Sequence, residues 1–370
     1  MSWHTQAQLS NAALREQSLW RECREFDSQG PRGMVNGQTV ISFASNDYLG
    51  LASHPLVLAA AHAAIDRWGT GAGAARLVTG TRPIHCELEQ ALAAAHHVDR
   101  ALLFSTGYAA NLGVLSTLGA DNVTIFSDQL NHASIIDGCR LARARTVVYR
   151  HCDAEQLESM LLACSTRKLV VTESVFSMDG DRAPLRKLAE LAIAHRALLV
   201  VDDAHNVFPE YAVPQIDGLE LLRVGTLSKT LGAMGGWVGG SQSLIELLTN
   251  SARSFVFTTA LAPAAAAAAL AALQVYCATE GELLRARLRR LIMQLRSNHD
   301  SPIVPIIVGS EAAALRAATM LLERGIYVPA IRPPTVAPDT SRLRITLSAA
   351  HDDAMLAHLM SALHAAEVST

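Results

Sequence analysis

The chain has 370 residues, half of them hydrophobic and 18% charged, which supplies a sizeable core and excludes a disordered chain. At about 150 residues per domain, two or three domains are expected. Lys and Arg number 31 against 34 Asp and Glu, so the net charge of −3 lacks the basic excess of a general nucleic-acid binder.

Six cysteines, Cys23, Cys86, Cys139, Cys152, Cys164 and Cys277, lie far apart with no C-x-x-C pair. They read as reduced thiols rather than a disulfide framework or a metal site. The N-terminus has no apolar core of the secretory kind. Residues 255–278 carry no charge, but they are alanine-rich and interrupted by Pro263 and Gln274, so they read as a buried helix rather than a membrane span. A cytoplasmic protein is expected.

In chain order, residues 1–30 read as an amphipathic helix ending near the turn signal Gln29-Gly30-Pro31, and a hairpin turning at Asn36-Gly37 follows. From about residue 100, short Val-, Leu- and Ile-rich runs alternate with helical patterns: 101–104, 123–126, 146–149, 168–172, 197–201 and 221–224. Runs with so little alternation suit parallel strands covered by helices on both faces. Several end in polar residues or glycine, as in Ser127-Asp128, Glu173-Ser174 and Asp202-Asp203. Ligands of open α/β sheets bind at that edge. Beyond the alanine-rich helix, a charged helix carries Arg285, Arg287, Arg289 and Arg290. Strands at 303–308, 326–331 and 342–347 follow, with a helix at 311–324 and a final helix. The fold class is α/β, a large mostly parallel sheet domain with helices on both faces plus a smaller C-terminal α+β domain. The expected boundaries are an N-terminal arm over 1–40, the large domain over 41–275 and the small domain over 276–370, with a cleft between the last two.

Lys229 lies in Gly225-Thr226-Leu227-Ser228-Lys229-Thr230-Leu231-Gly232, just after a predicted strand. Crowding by small residues suits a Schiff-base lysine, although a lone lysine in a glycine-rich loop is more often a surface residue. The run 197–201 delivers Asp202 to the sheet edge, with His205 three residues on. A buried aspartate there needs a cation, such as a pyridinium nitrogen, unless Asp202 or Asp203 simply caps a helix. Ser105-Thr106-Gly107-Tyr108 offers a helix start for a phosphate. Tyr108 and His132 offer flat rings, and His132 reads equally well as a helix-capping neighbour.

Weaker matches are set aside. Gly71-Ala72-Gly73-Ala74-Ala75-Arg76 lacks the third glycine of a dinucleotide fingerprint. His85-Cys86-Glu87 has no partner motif for a zinc deaminase, and Ser165-Thr166-Arg167-Lys168 lacks the companions of a β-lactamase site. The basic run Arg140, Arg143, Arg145, Arg150 reads more readily as a solvated face than as a docking patch for an acidic carrier.

Four motifs in order, Ser45-Asn46-Asp47-Tyr48-Leu49-Gly50-Leu51, 172–180 (TESVFSMDG), Val201-Asp202-Asp203-Ala204-His205 and Ser228-Lys229-Thr230-Leu231-Gly232, resemble the α-oxoamine synthases, pyridoxal 5'-phosphate enzymes of fold type I. The likeness runs from about residue 40 to the C-terminus. Within the family, Ala330-Ile331-Arg332-Pro333-Pro334-Thr335-Val336 and the segment 341–351 are most similar to the branch that joins L-alanine to a pimeloyl thioester, on acyl carrier protein or coenzyme A, in biotin synthesis.

The resemblance implies roles residue by residue. Lys229 would bind the cofactor covalently, Asp202 would pair with its ring nitrogen, and His205 would meet the ring hydroxyl. His132 would stack on the ring with Ser177 beside it. Gly107, Tyr108 and Thr226 match phosphate positions, and Thr258 and Thr259 match a segment that reaches the partner's phosphate in a homodimer. Asn46 and Arg344 would hold the amino-acid carboxylate, and Arg21 and Thr335 would contact substrate. No metal, nucleic-acid or membrane partner is implied. Two departures stand out: Asn206-Val207-Phe208 follows Asp-Asp-Ala-His where relatives carry Gly-Thr-Gly, and Ala75 stands where relatives often carry serine. Both bear on substrate preference more than on catalysis. The competing readings are a sibling enzyme using glycine and a shorter acyl-CoA, and a catalytically silent scaffold.

Overall fold

The computed structural model describes residues 1–368. Its elements begin with α1 (Trp3–Glu16), β1 (Phe26–Asp27), β2 (Arg32–Val35), β3 (Gln38–Ser42), α2 (Pro55–Trp68) and α3 (Pro83–His96). Then come β4 (Arg100–Phe104), α4 (Gly107–Leu118), β5 (Val123–Asp128), α5 (Ala133–Leu141), β6 (Arg145–Tyr149), α6 (Ala154–Leu162), β7 (Arg167–Glu173), α7 (Leu185–Ala194) and β8 (Ala197–Asp202). These are followed by β9 (Leu221–Thr226), β10 (Gly236–Gly240), α8 (Gln242–Ser251), α9 (Arg253–Val256), α10 (Pro263–Cys277) and α11 (Thr279–Leu295). The chain closes with β11 (Ile303–Gly309), α12 (Glu311–Glu323), β12 (Ile326–Tyr327), β13 (Ala330–Ile331), β14 (Ser341–Thr346) and α13 (Asp353–Ala365). Among the described residues, no helix is long and apolar enough to cross a membrane.

Two units are separable. One joins residues 49–177 and 181–285. Its seven-stranded sheet has the order β4-β10-β9-β8-β7-β5-β6, parallel from β9 to β6, with β10 antiparallel to both neighbours. Successive strand residues feed opposite cores, as a pleated strand requires. Leu169, Val171, Val200 and Val224 pack with Leu115 of α4, Ile135 of α5 and Phe255 of α9. Val170, Leu199 and Val201 pack with Leu157 of α6 and Leu188 of α7. That is the two-faced parallel sheet expected from the unalternating runs.

The other unit joins residues 1–48, 178–180 and 286–368. It holds a four-stranded sheet, β1-β2-β3-β12, and a three-stranded sheet, β11-β14-β13. The Asn36-Gly37 turn closes the β2–β3 hairpin as expected.

Three expectations need correction. The N-terminal helix stops at Glu16, with Ser18 in the left-handed region at φ 58°, because no side chain of α1 is buried and nothing extends the helix. The stretch 255–278 is not one helix: Phe257 closes α9, and Pro263 starts α10 at the position where a missing N–H costs nothing. The strand expected over 326–331 is two short ones, β12 pairing with β3 and β13 with β14, broken at Val328-Pro329. Gly236, Gly239 and Gly240 form part of β10, a strand absent from the runs read in the sequence.

Gly236 explains why β10 can exist there. A Cβ on it would lie 2.4 Å from the Thr106 carbonyl and 2.5 Å from the Gly107 nitrogen, so only glycine lets the strand pass the start of α4. Gly236→Ala should therefore lower stability by about 1–3 kcal/mol. The check is a urea midpoint, which would stay at the wild-type value if the approach were not tight.

Candidate active site

The site grows from the carboxyl edge of the seven-stranded sheet. After β9, residues 227–235 form a loop closed by Leu227 N–H to Gly235 O at 3.0 Å and Ala233 N–H to Leu227 O at 2.9 Å. Gly232, at φ 60°, packs so tightly against Ala52 that a Cβ would sit 2.3 Å from its nitrogen. This holds Lys229 half-buried, with Nζ 2.9 Å from Nε2 of the buried His205. The lysine is therefore not a solvated loop residue.

Asp202 and Asp203 leave β8 on opposite faces. Asp203 is buried against Arg223, which donates from Nε at 2.8 Å and Nη2 at 2.7 Å. Asp202 faces α4, where Oδ2 accepts from Asn111 Nδ2 at 2.7 Å and Oδ1 from the Ala204 amide at 2.9 Å. Neither aspartate caps a helix. Asp202 is 6% exposed and its side-chain donors are neutral, so its charge suits a cationic ligand group.

Asn111 extends the network. Its Nδ2 also donates to Ser134 Oγ at 2.9 Å, and Ser134 Oγ lies 2.8 Å from His132 Nδ1. The Ser134 amide donates to the same Nδ1 at 3.2 Å, which leaves the proton of a neutral His132 ring on Nε2. His132 is thus both the cap of α5 and a member of the site, and its ring remains accessible. Burial of its polar edge holds the imidazole below its ordinary value, with Asp202 opposing and Lys229 assisting.

The same edge continues at the start of α4. Thr106 caps the helix by accepting from the Ala109 amide at 3.0 Å, and Gly107 packs under Thr226. Thr226 Oγ1 lies 2.7 Å from Ser228 Oγ, so hydroxyls and helix N–H groups gather there. Tyr108 stands edge-on to the His132 ring, with centroids 6.4 Å apart, and its hydroxyl donates to Asp137. Ser177 is buried. Thr258 and Thr259 are not hydrogen-bonded into this set; Thr259 instead bridges to Ala75.

The remaining expected residues belong to the other unit. Buried Arg344 donates from both terminal nitrogens to Asn46 Oδ1 at 3.2 Å and from Nη1 to Thr346 Oγ1 at 2.8 Å. Arg21 donates to the Pro333 carbonyl at 2.9 Å, and Arg332 donates back to the carbonyls of Ser18 and Trp20. Thr335 is exposed, with its amide on the Arg332 carbonyl at 3.1 Å.

Several motifs find structural uses. His85 accepts from the Arg82 amide and donates to the Leu261 carbonyl, and Arg76 forms a two-bonded pair with Glu89. Within the basic run, Arg145 stands at the amino end of β6, and exposed Arg140 and Arg150 pair with their own neighbours Asp137 and Asp153, as on a solvated face. Asp128, His151 and Cys152 cluster within metal-ligand reach. However, Asp128 is already occupied by the amides of Leu130 and Cys152 and by His151. Although burial opposes it, hydrogen bonds to Asp128 and Asp181 push His151 up to about 12, so the cluster is a protonated clamp. Sequence reasoning missed Asn111, Ser134 and Glu173. The available signal was a lone asparagine inside the apolar helix α4, which a buried amide can occupy only with partners.

A family model described as aminotransferase class I and II matches residues 38–363. The chain is 50% identical over 355 residues to 8-amino-7-oxononanoate synthase of Anaeromyxobacter dehalogenans, covering 91% of this chain and 89% of that one. Serine palmitoyltransferase from S. paucimobilis, solved with a bound PLP–myriocin aldimine, matches with TM-score 0.88 and 30% identity over 99% of this chain and 100% of that one. 8-Amino-7-oxononanoate synthase from Francisella tularensis matches with TM-score 0.74 and 29% identity over 88% and 96%.

The two aspartates should separate in stability measurements. Arg223→Met leaves Asp203 buried without its cation and should cost about 3–5 kcal/mol in chemical denaturation. Asp202→Asn removes a charge with no cationic partner and should cost clearly less. The reverse ranking would exchange their roles.

Proposed function

This chain belongs to the 8-amino-7-oxononanoate synthase family of pyridoxal phosphate-dependent acyltransferases in biotin synthesis, and on that premise we propose that it condenses L-alanine with a pimeloyl thioester, releasing carbon dioxide and the free carrier. The observation that carries the reading is the placement of Lys229, His205 and Asp202 on one sheet edge, with Lys229 Nζ 2.9 Å from His205.

The residues present fit the cofactor. Asp202 offers a buried charge met by neutral donors, the start of α4 offers N–H groups for a phosphate, and His132 offers an accessible ring. Lys229 and Thr226 bracket the loop between them. When bound, pyridoxal phosphate supplies an electron sink for the carbanion at the amino acid's Cα.

The chain's own residues supply the rest. Lys229 would hold the cofactor through Nζ and would serve as the general base for the amino acid's Cα proton. Asp202 would keep the pyridine nitrogen protonated, and Asn111 and the Ala204 amide hold that carboxylate in place. His205 would take the ring hydroxyl, and Ser177 would lie beside the ring with His132. His132, neutral with its proton on Nε2, is suited to assist proton transfer at the thioester carbonyl. Gly107, Tyr108 and Thr226 would take the phosphate. We assign Arg344 and Asn46 to the amino-acid carboxylate and Arg21 and Thr335 to the acyl substrate. Thr258 and Thr259, unused in their own subunit's site, are assigned to the partner's phosphate in a homodimer. The carrier is acyl carrier protein or coenzyme A.

The test is the near-ultraviolet and visible spectrum of the purified protein with pyridoxal phosphate, before and after L-alanine and then glycine. A cofactor band that responds much more strongly to alanine is expected. A preference for glycine would move the chain to a sibling activity, and no band at all would leave a silent scaffold. Lys229→Ala should abolish both turnover and the protein-bound band. Asp202→Asn should keep some cofactor but lose activity by about 10²-fold or more. Near-normal turnover in Lys229→Ala would falsify the mechanism.

A further inference from the structure

The ends of β7 and β8 contain a conflict. Glu173 and Asp202 are register partners in a parallel pair, so their Cα atoms lie about 4.8 Å apart and both side chains leave the sheet on the α4 face. They are 2% and 6% exposed. Two ionised carboxylates in so dry a place repel strongly, and one of them keeps a proton.

The donors decide which one. Asp202 receives Asn111 Nδ2 and the Ala204 amide. The backbone N–H of His132 faces Glu173, whose Oε1 is buried with no hydrogen-bond partner. An ionised group so poorly solvated costs far more than a neutral acid. Other charged groups face it from each neighbouring element: Asp128 at the end of β5, Asp202 on β8, and Lys229 after β9.

We propose that Glu173 is a positioning residue for the cofactor ring: it stands as a neutral acid against the His132 amide at the start of α5, and leaves Asp202 as the carboxylate charge offered to the ring nitrogen. The positioning role rests on the pyridoxal phosphate reading of Asp202; the proton on Glu173 does not. Burial, reinforced by Asp202, raises the Glu173 carboxyl well above the usual carboxylate range, with Lys229 and the His132 amide pulling the other way. Its folded value therefore exceeds its unfolded value. The stability this contributes is present in full below the ordinary glutamate range and is lost as pH rises toward the folded value.

Infrared spectroscopy of the protein free of cofactor tests the proton. A protonated-carboxyl stretch at neutral pH that is missing from Glu173→Gln is expected. No such band in the wild type, or a band that persists in the variant, overturns the proposal. The thermal midpoint should fall more steeply with rising pH in the wild type than in Glu173→Gln, and equal slopes count against it. If the variant does not fold, the wild-type spectrum alone decides. The positioning role is read separately as pyridoxal phosphate affinity. Glu173→Ala should weaken it about tenfold, the worth of one hydrogen bond, and Glu173→Gln should restore most of it. Equal losses in Ala and Gln would reject the neutral-acid role. A wild-type protein that bound no pyridoxal phosphate would overturn the functional reading while leaving the infrared result standing.

Discussion

Three neighbouring parallel strands end in carboxyl groups: Asp128 on β5, Glu173 on β7 and Asp202 on β8. All three are buried. A sheet edge cannot hold three bare negative charges in a dry setting, so each must be answered by something specific. Asp128 is answered by His151 and two backbone amides. Asp202 is held by Asn111 and the Ala204 amide, donors that fix its direction without neutralising it. Glu173 has neither solution, and it is the group for which a proton is the cheapest answer. The loops that follow these strands, and the helices α4 and α5 that cover them, are arranged around meeting these demands.

That constraint explains why so much of the site is hydrogen-bonded in series. His132, Ser134, Asn111 and Asp202 link the start of α5, the middle of α4 and the end of β8. Networks of this kind fix the orientation of a ring and a carboxylate together, because moving one breaks the partner of the next. The lysine loop is held by different means, through a backbone turn and the tight fit of Gly232 against Ala52. A rigid frame around Lys229 and Asp202 is what a cofactor with two fixed ends requires.

The departure at Asn206-Val207-Phe208 is absorbed without disturbing that frame. Val207 and Phe208 are each 1% exposed, and Asn206 closes the turn by accepting from the Phe208 amide at 3.2 Å. Phe208, Trp237 and Tyr276 line a cavity of about 390 Å³ in the same unit. In the other unit, a reciprocal arrangement replaces helix as the ordering device of the N-terminal segment: Arg332 grips the carbonyls of residues 18 and 20, and Arg21 grips those of 332 and 333. These bonds tie down residues 18–21 after the turn at Gln17-Ser18 has ended α1.

By itself, the sequence determined the parallel sheet, since runs such as 168–172 and 197–201 lack the alternation of a half-exposed strand. It also determined which edge carries the polar residues, and the ordered motifs around Asn46, Glu173, Asp202 and Lys229 led to the family. Tertiary structure alone decided the rest. Asp202 and Asp203 are identical letters side by side, and only the pleat, which turns one toward α4 and the other toward Arg223, gives them different work. The glycines of β10 carry no strand pattern in the sequence, because their fitness as strand depends on how closely α4 approaches Gly236. Asn111 and Glu173 acquired roles because elements far apart in sequence brought Asp202 to them. Local patterns record which residues prefer to be buried and in what periodicity; which buried group meets which charge is settled only when the strands are laid side by side.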